Sequence, residues 1–286
     1  MKRSILRMVG VAVLTAVAVV LGSGPASAEI RFGTLPRLSA AELQTMYAPL
    51  AGYLAKETGE KVSIVVPKTF DDFKRAVKAG KIDIGFANPL VYVQVKEKVD
   101  VEPLALSSDV TSGTRLRGII IVRKDSGINS LQDLRGKKIS FMAKDSPAAY
   151  LFQVLLLSKA GLEIHKDFTV LPFAKRHDKI IKEVLDKTAD AGAVREDEFE
   201  KMKDSADFSQ LRIIGYTDYL PNWPAFATPK LNKATANKVR AALLKLKPND
   251  PQNEKILGLA RLTGFIPVAD KEYDGLRAAA KVAGAM

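Results

Sequence analysis

Residues Lys78–Ala87 read KAGKIDIGFA, and residues Asp186–Val194 read DKTADAGAV. Each closes a helix, turns, and enters a short strand with an Asp-x-Gly step: Asp83 with Gly85, and Asp190 with Gly192. Each also follows a strand, a loop and a helix. Apart from its aspartate, Ile82–Ala87 is continuously apolar, and a strand without a polar face must be covered on both sides. A unit that recurs once, about a hundred residues further on, is too widely spaced for a short-period solenoid and predicts two similar α/β lobes.

The segments around the two copies fit this reading. Glu29–Thr34 (EIRFGT) and Val62–Val66 are strands, and the loop after the first carries Pro36 and Arg37. Ser39 with Glu42 makes a capping-box phrase that opens a helix running toward Glu57. Thr69 or Asp71 starts a second helix, and Asn88-Pro89 a third that carries Tyr92. The alternation stalls around Leu104–Arg117 in the polar passage SSDVTSGTR, then restarts with the strand GIIIV, Gly118–Val122. Phe168–Phe173 and Arg212–Tyr216 are further strands, Tyr219–Pro229 is a proline-rich loop, and the remainder from Thr235 is helical, with breaks near Pro248–Pro251 and Gly264–Pro267. Strands alternating with helices predict mixed or parallel sheets flanked by helices. Lobe I is expected to comprise residues 29–111 and 222–286, and lobe II residues 112–221. Crossing segments near 104–117 and 212–221 would act as the hinge. Open α/β sheets bind ligands at the carboxyl ends of their strands, so the cleft between the lobes is the expected site.

Residues 1–28 read as a cleavable signal peptide: Lys2, Arg3 and Arg7, an uncharged apolar run over Met8–Leu21, then Ala26-Ser27-Ala28. Export to a bacterial periplasm, without membrane insertion, is the expectation. Removing those residues takes three of the 44 basic side chains and none of the 32 acidic ones, leaving 258 residues with a net charge of +9. The lysines are scattered rather than massed with aromatics, which disfavours nucleic acid and suits the attraction of small anions. With no cysteine and only His165 and His177, thiol chemistry is excluded and histidine-rich metal chemistry is disfavoured. No metal or cofactor is expected.

A second stretch bears on chemistry: Ile139–Gly161, ISFMAKDSPAAYLFQVLLLSKAG. A short strand delivers the chain to Asp145-Ser146-Pro147, where Ser146 suits the N-cap and Pro147 the first helical position. Ala148 and Ala149 have no bulk, so a ligand could approach their amides at the positive end of the helix dipole. Arg195, after the second repeat strand, could add a charge-assisted contact to an anion, although its run REDEFEK also suits a solvated helix face.

KAGKIDIGFANPLVYVQV followed by VEPLAL, SGINSLQDLRGKKISF, the loop holding His177 before DKIIKEVLDKTADAGAV, and GFIPVADKEYDGLR together resemble the phosphate/phosphonate (PhnD-like) substrate-binding proteins of ABC importers. The resemblance covers essentially the whole mature chain, in order. It implies a two-lobed periplasmic-binding-protein fold of type 2 that closes on a phosphorus oxyanion and hands it to a membrane permease and ATPase. Carried over residue by residue, it implies ligand contacts at Phe70, where relatives usually have tyrosine, and at Tyr92, Ser146 and His177, with Ala148, Ala149 and Tyr150 completing the turn that Ser146 opens. Two departures stand out. The anion phrase reads Ser146-Pro147-Ala148-Ala149, without the further hydroxyls of the family, and Trp223 stands where many relatives have an aspartate that recognises an amino group. A ligand without a cationic tail, or with an apolar or planar part against Trp223 and Phe70, is therefore expected.

Other readings compete with a monomeric uptake protein. The same fold could serve a membrane sensor kinase, or take a different small organic ligand. A secreted hydrolase would need a nucleophile with its base, or a metal site, and no such motif is recognisable.

Overall fold

The computed structural model describes residues 29–203 and 206–286, so the expected signal peptide lies outside the described residues. The chain begins with β1 (Glu29–Thr34), α1 (Ala40–Thr58), β2 (Lys61–Val65), α2 (Phe70–Lys78), β3 (Ile84–Phe86), α3 (Pro89–Lys96) and β4 (Glu102–Asp109). There follow β5 (Arg115–Leu116), β6 (Gly118–Arg123), β7 (Lys138–Ser140), a five-residue π turn (Pro147–Leu151) and α4 (Phe152–Lys159). Next come β8 (Thr169–Val170), α5 (His177–Leu185), β9 (Ala191–Arg195), α6 (Glu196–Glu200) and β10 (Leu211–Tyr216). The last elements are β11 (Leu220–Pro221), β12 (Pro224–Ala227), α7 (Lys233–Lys245), α8 (Glu254–Leu257), β13 (Leu262–Ile266) and α9 (Asp274–Val282).

Two mixed sheets result, ordered β13-β4-β12-β3-β1-β2 and β10-β6-β9-β7-β8. In each, the repeat strand pairs in parallel with the strand two places before it in the chain, β3 with β1 and β9 with β7. The strand Gly118–Val122 shows why it lacks a polar face. Ile119 and Ile121 enter the apolar cluster under α5 and α6, while Ile120 and Val122 enter a cluster on the opposite side. That second cluster runs on through Phe73, Tyr92, Phe141, Tyr150 and Tyr273, so a continuous apolar core joins the two lobes. The outer side of the first sheet is closed by α1 and α7 over Ile30, Phe32, Ile84 and Phe86.

Three strands stand where the sequence reads as loop, polar passage or break. β12 falls within the proline-rich loop and lies antiparallel between β3 and β4. Pro224 is its first residue, where a missing N–H does least harm to a ladder. β4 covers part of the polar passage, and β13, which covers Gly264, pairs with it. All three find their partners far along the chain, so no local pattern announces them. The expected crossing segments meet as β5 and β11, which pair antiparallel in a two-residue ribbon. Asn222 tightens this crossing: its side-chain amide donates to Asp109 at 2.8 Å, to the Ser112 hydroxyl at 3.1 Å and to the Gly113 carbonyl at 2.9 Å.

Candidate functional site

A cavity of about 310 Å³ lies between the lobes. The first lobe supplies Arg37 from the loop after β1, Tyr47 from α1, Phe86 from β3, Ser107 and Asp109 from β4, Trp223 ahead of β12, and Arg261 ahead of β13. The second supplies Arg195 at the end of β9, with Glu198 and Lys201 at α6.

Four cations and two acids thus line the space, Arg37, Arg195, Lys201 and Arg261 against Asp109 and Glu198, and both acids are already occupied. Burial pulls the Asp109 carboxyl upward, but the amides of Thr111 and Ser112, the Ser112 hydroxyl and Asn222 outweigh it and hold the group below its ordinary range. Glu198 is likewise raised by burial and lowered further by its 2.8 Å bond from Lys201 and by Arg195, so it too stays ionised. Arg195 is held by Asp197 through its Nε at 2.9 Å. Arg37 and Arg261 have no carboxylate partner among the described residues. Arg37 instead lies 5.8 Å from the centre of the Trp223 ring and donates to the Tyr47 hydroxyl at 3.3 Å. Ser107 is 1% exposed, and its hydroxyl has no hydrogen-bond partner. A guanidinium without an acid partner, with its fixed fork geometry, together with a buried hydroxyl that lacks a partner among the described residues, is equipped to take an oxyanion.

The residues expected from sequence divide into three groups. Arg195 and Trp223 line the cavity. Ser146, Ala148, Ala149 and Tyr150 lie at the π turn and His177 at the start of α5, all in the second lobe, and none is among the cavity's lining residues. Here the expected cap is corrected: the Ser146 side chain makes no capping bond. The helix opens instead as a π turn, in which the Leu151 amide reaches the Ser146 carbonyl at 3.0 Å and Ala149 is non-helical (φ −121°, ψ 15°). The turn is fastened from below by Gln153, whose amide donates to the Ala148 carbonyl at 2.6 Å. Gly118 on β6 leaves room for this, since a Cβ there would stand 2.0 Å from the Gln153 amide nitrogen and 2.2 Å from the Ala148 oxygen. Ala148, Ala149 and Tyr150 are buried, and the Tyr150 ring packs edge-on to Phe141 and Phe173. His177 begins α5 with a buried Nδ1 that has no partner; burial first, and Arg195 second, push its pKa down to about 4.

The third group is core. Tyr92 is fully buried against Tyr273 and Phe226, and its hydroxyl donates to Asp270 at 2.6 Å. That placement corrects its expected role as a ligand contact, because α3 is buried along nearly its whole length and Tyr92 has no exposed surface. Phe70, the first residue of α2, is half-buried against the shared core and lies outside the cavity lining. Sequence reading gave no role to Arg37, Ser107, Lys201 or Arg261. Arg37 carried a usable signal, as it follows the carboxyl end of the first strand, where such sheets bind ligands. Ser107 and Arg261 did not, because the segments that place them were not read as strands.

Residues 32–273 match the family described as ABC transporter, phosphonate, periplasmic substrate-binding protein. The chain is 26% identical over 275 residues to the phosphate-import protein PhnD of Mycolicibacterium smegmatis, covering 89% of this chain and 86% of that protein. Among solved structures, XAC2383 from Xanthomonas citri bound to chloride superposes with a TM-score of 0.72 at 16% identity, covering 90% of this chain and 97% of that one. PhnD1 from Prochlorococcus marinus in complex with methylphosphonate gives a TM-score of 0.67 at 18% identity, covering 90% and 99%. The fold is that of a two-lobed periplasmic binding protein of type 2. The chain belongs to the phosphonate-type periplasmic substrate-binding proteins of ABC transporters. Among the described residues, no helix is long and apolar enough to cross a membrane.

Proposed function

We propose that this protein captures one small phosphorus oxyanion in the cleft between its lobes and delivers it to a membrane permease with its ATPase. It does so as an exported monomer freed of residues 1–28, with lobe I built from residues 29–111 and 222–286 and lobe II from residues 112–221. Arg37 and Arg261 approach the anion from the first lobe, Arg195 and Lys201 from the second, and the Ser107 hydroxyl donates from the floor. Binding cations from both sides lets the anion draw the lobes together, since closure raises the number of its charged contacts. Ser146, the π-turn amides and His177 would reach the ligand only in such a closed state.

The observation that carries this reading is the pair of guanidiniums without acid partners facing a cavity whose two carboxylates are already satisfied. Binding and release alone are expected, with the ligand leaving unchanged. Calorimetric titration with phosphate, phosphite and methylphosphonate tests the proposal. One-to-one binding of at least one of them is expected, and at 100 times its dissociation constant that ligand should add about 2.7 kcal/mol of stability. If none of them binds, or if a phosphonate is hydrolysed, the reading fails.

A further inference from the structure

We infer that the preferred ligand is a phosphorus oxyanion bearing a flat, uncharged aryl group, and neither bare phosphate nor an aminoalkyl phosphonate. The inference rests on the phosphorus-oxyanion reading and adds the chemistry of the substituent.

The cavity joins two unlike surfaces, and they adjoin: Arg37 lies 5.8 Å from the centre of the Trp223 ring, and the Ser107 N–H donates to the Trp223 carbonyl at 2.9 Å. Its charged part is made by Arg37, Arg261 and the Ser107 hydroxyl, which together satisfy an oxyanion. Its other wall is Trp223, a half-buried indole held in place from behind. Phe86 packs against that indole at 5.4 Å between centroids and 48° between planes, and Tyr47 meets Phe86 edge-on at 5.8 Å and 71°. Phe86 and Tyr47 are themselves buried, so Trp223 is the aromatic surface left for a ligand. A braced indole offers a rigid face for a flat group, which stacks on it without ordering a flexible side chain. The volume of about 310 Å³ is at the lower bound of pockets that hold drug-sized ligands, roughly 300–1,000 Å³, and leaves room beside a tetrahedral anion.

An ammonium group has nowhere to go. Asp109 spends both oxygens on two backbone amides, a hydroxyl and Asn222, and Glu198 is bonded to Lys201. Arg195 and Lys201 are paired with Asp197 and Glu198, which leaves the Arg37 and Arg261 guanidiniums against an Asp109 already filled with neutral donors, so an aminoalkyl tail would meet a net positive lining and be disfavoured by like charge.

Trp223 is the single tryptophan of the 286-residue sequence, so tryptophan emission, excited selectively over the seven tyrosines, reports on this wall alone. The experiment is a fluorescence titration with phosphate, methylphosphonate, phenylphosphonate and 2-aminoethylphosphonate, repeated by calorimetry on the Trp223→Leu and Trp223→Phe variants. Phenylphosphonate should bind about tenfold or more tighter than methylphosphonate and change Trp223 emission, with 2-aminoethylphosphonate weakest. Trp223→Leu should narrow the phenyl-to-methyl ratio toward one, and Trp223→Phe, which keeps a flat face, should retain part of it. If phosphate, methylphosphonate or the aminoethyl compound binds as tightly as phenylphosphonate, the inference is overturned and the oxyanion reading stands. If none of the four binds, the oxyanion reading falls and the inference falls with it.

Discussion

The carboxylate of Asp83 holds Arg31 at three points: its backbone N–H at 2.8 Å, its Nε at 2.8 Å and its Nη2 at 2.7 Å. In return the Asp83 N–H donates to the Arg31 carbonyl at 3.0 Å. The second lobe repeats the clamp, with Asp190 accepting the Lys138 N–H at 2.8 Å and donating to its carbonyl at 2.9 Å. Both pairs are separated by 52 residues. The Asp-x-Gly step is thus a register device, fixing the repeat strand against its parallel neighbour before the ladder begins.

Asp83→Ala should therefore destabilise the protein by about 1.5–3 kcal/mol, as expected for losing hydrogen bonds to a charged group. Asp190→Ala should cost less, since its clamp has one side-chain bond where Asp83 has three. Urea unfolding midpoints measure both, and equal losses would refute the ranking.

Tyr92 separates a core role from a ligand role. Its hydroxyl serves Asp270, which Arg277 also contacts at 2.6 Å. Burial of the phenol, then the neighbouring carboxylate, raise its pKa far above the ordinary value, so it donates at every working pH. Tyr92→Phe should lower stability by about 1–3 kcal/mol and leave oxyanion affinity unchanged. A large loss of affinity at unchanged stability would restore Tyr92 to the site.

Arg37 should behave in the opposite way. It is exposed and lacks an acid partner, so Arg37→Ala should change stability by no more than about 0.5 kcal/mol. The same change should weaken phosphonate binding by about 1.5–3 kcal/mol, roughly 10- to 150-fold, through loss of a charge-assisted contact. Calorimetry and thermal melts on one preparation would decide it, and intact affinity would remove Arg37 from the site.

His177 gives the protein an acid sensitivity of known sign. Its pKa falls from an ordinary 6.5 to about 4 in the folded state, first because burial disfavours the charged ring and then because Arg195 stands near. Between those values the unfolded chain binds the proton and the folded one does not. Stability from this group is complete above pH 6.5 and is lost as pH falls toward 4, by on the order of 3 kcal/mol in all. His177→Gln should flatten the stability profile across that window. A variant whose loss between pH 7 and pH 4 matched the parent would show that other groups carry it.

Local sequence determined much of this molecule. The two Asp-x-Gly repeats, the all-apolar strand at Gly118–Val122 and the capping box of Ser39 and Glu42 each appear as read. The physics behind them acts within one turn or one strand: alternate burial of successive side chains, satisfaction of orphan amides, and apolar faces that need cover. Arg195 and Trp223 line the cavity, and both sit at crossover or strand-end positions that the α/β pattern itself locates.

Tertiary structure alone decided the rest. β4 and β13 pair with strands far away in the chain, and they carry or adjoin Ser107 and Arg261, so that part of the cavity's first-lobe wall had no local signature. Helical periodicity could not say that α3 is covered on nearly every side by distant elements, and that cover buried Tyr92 on Asp270. The helix start at Ser146 was visible as a phrase. Its π geometry was not, because that depends on Gln153 reaching the Ala148 carbonyl and on Gly118, about thirty residues earlier, having no side chain to block it. Sequence specifies the pieces through short-range sterics and hydrogen bonding, whereas the site's membership is set by which distant surfaces the two sheets bring together.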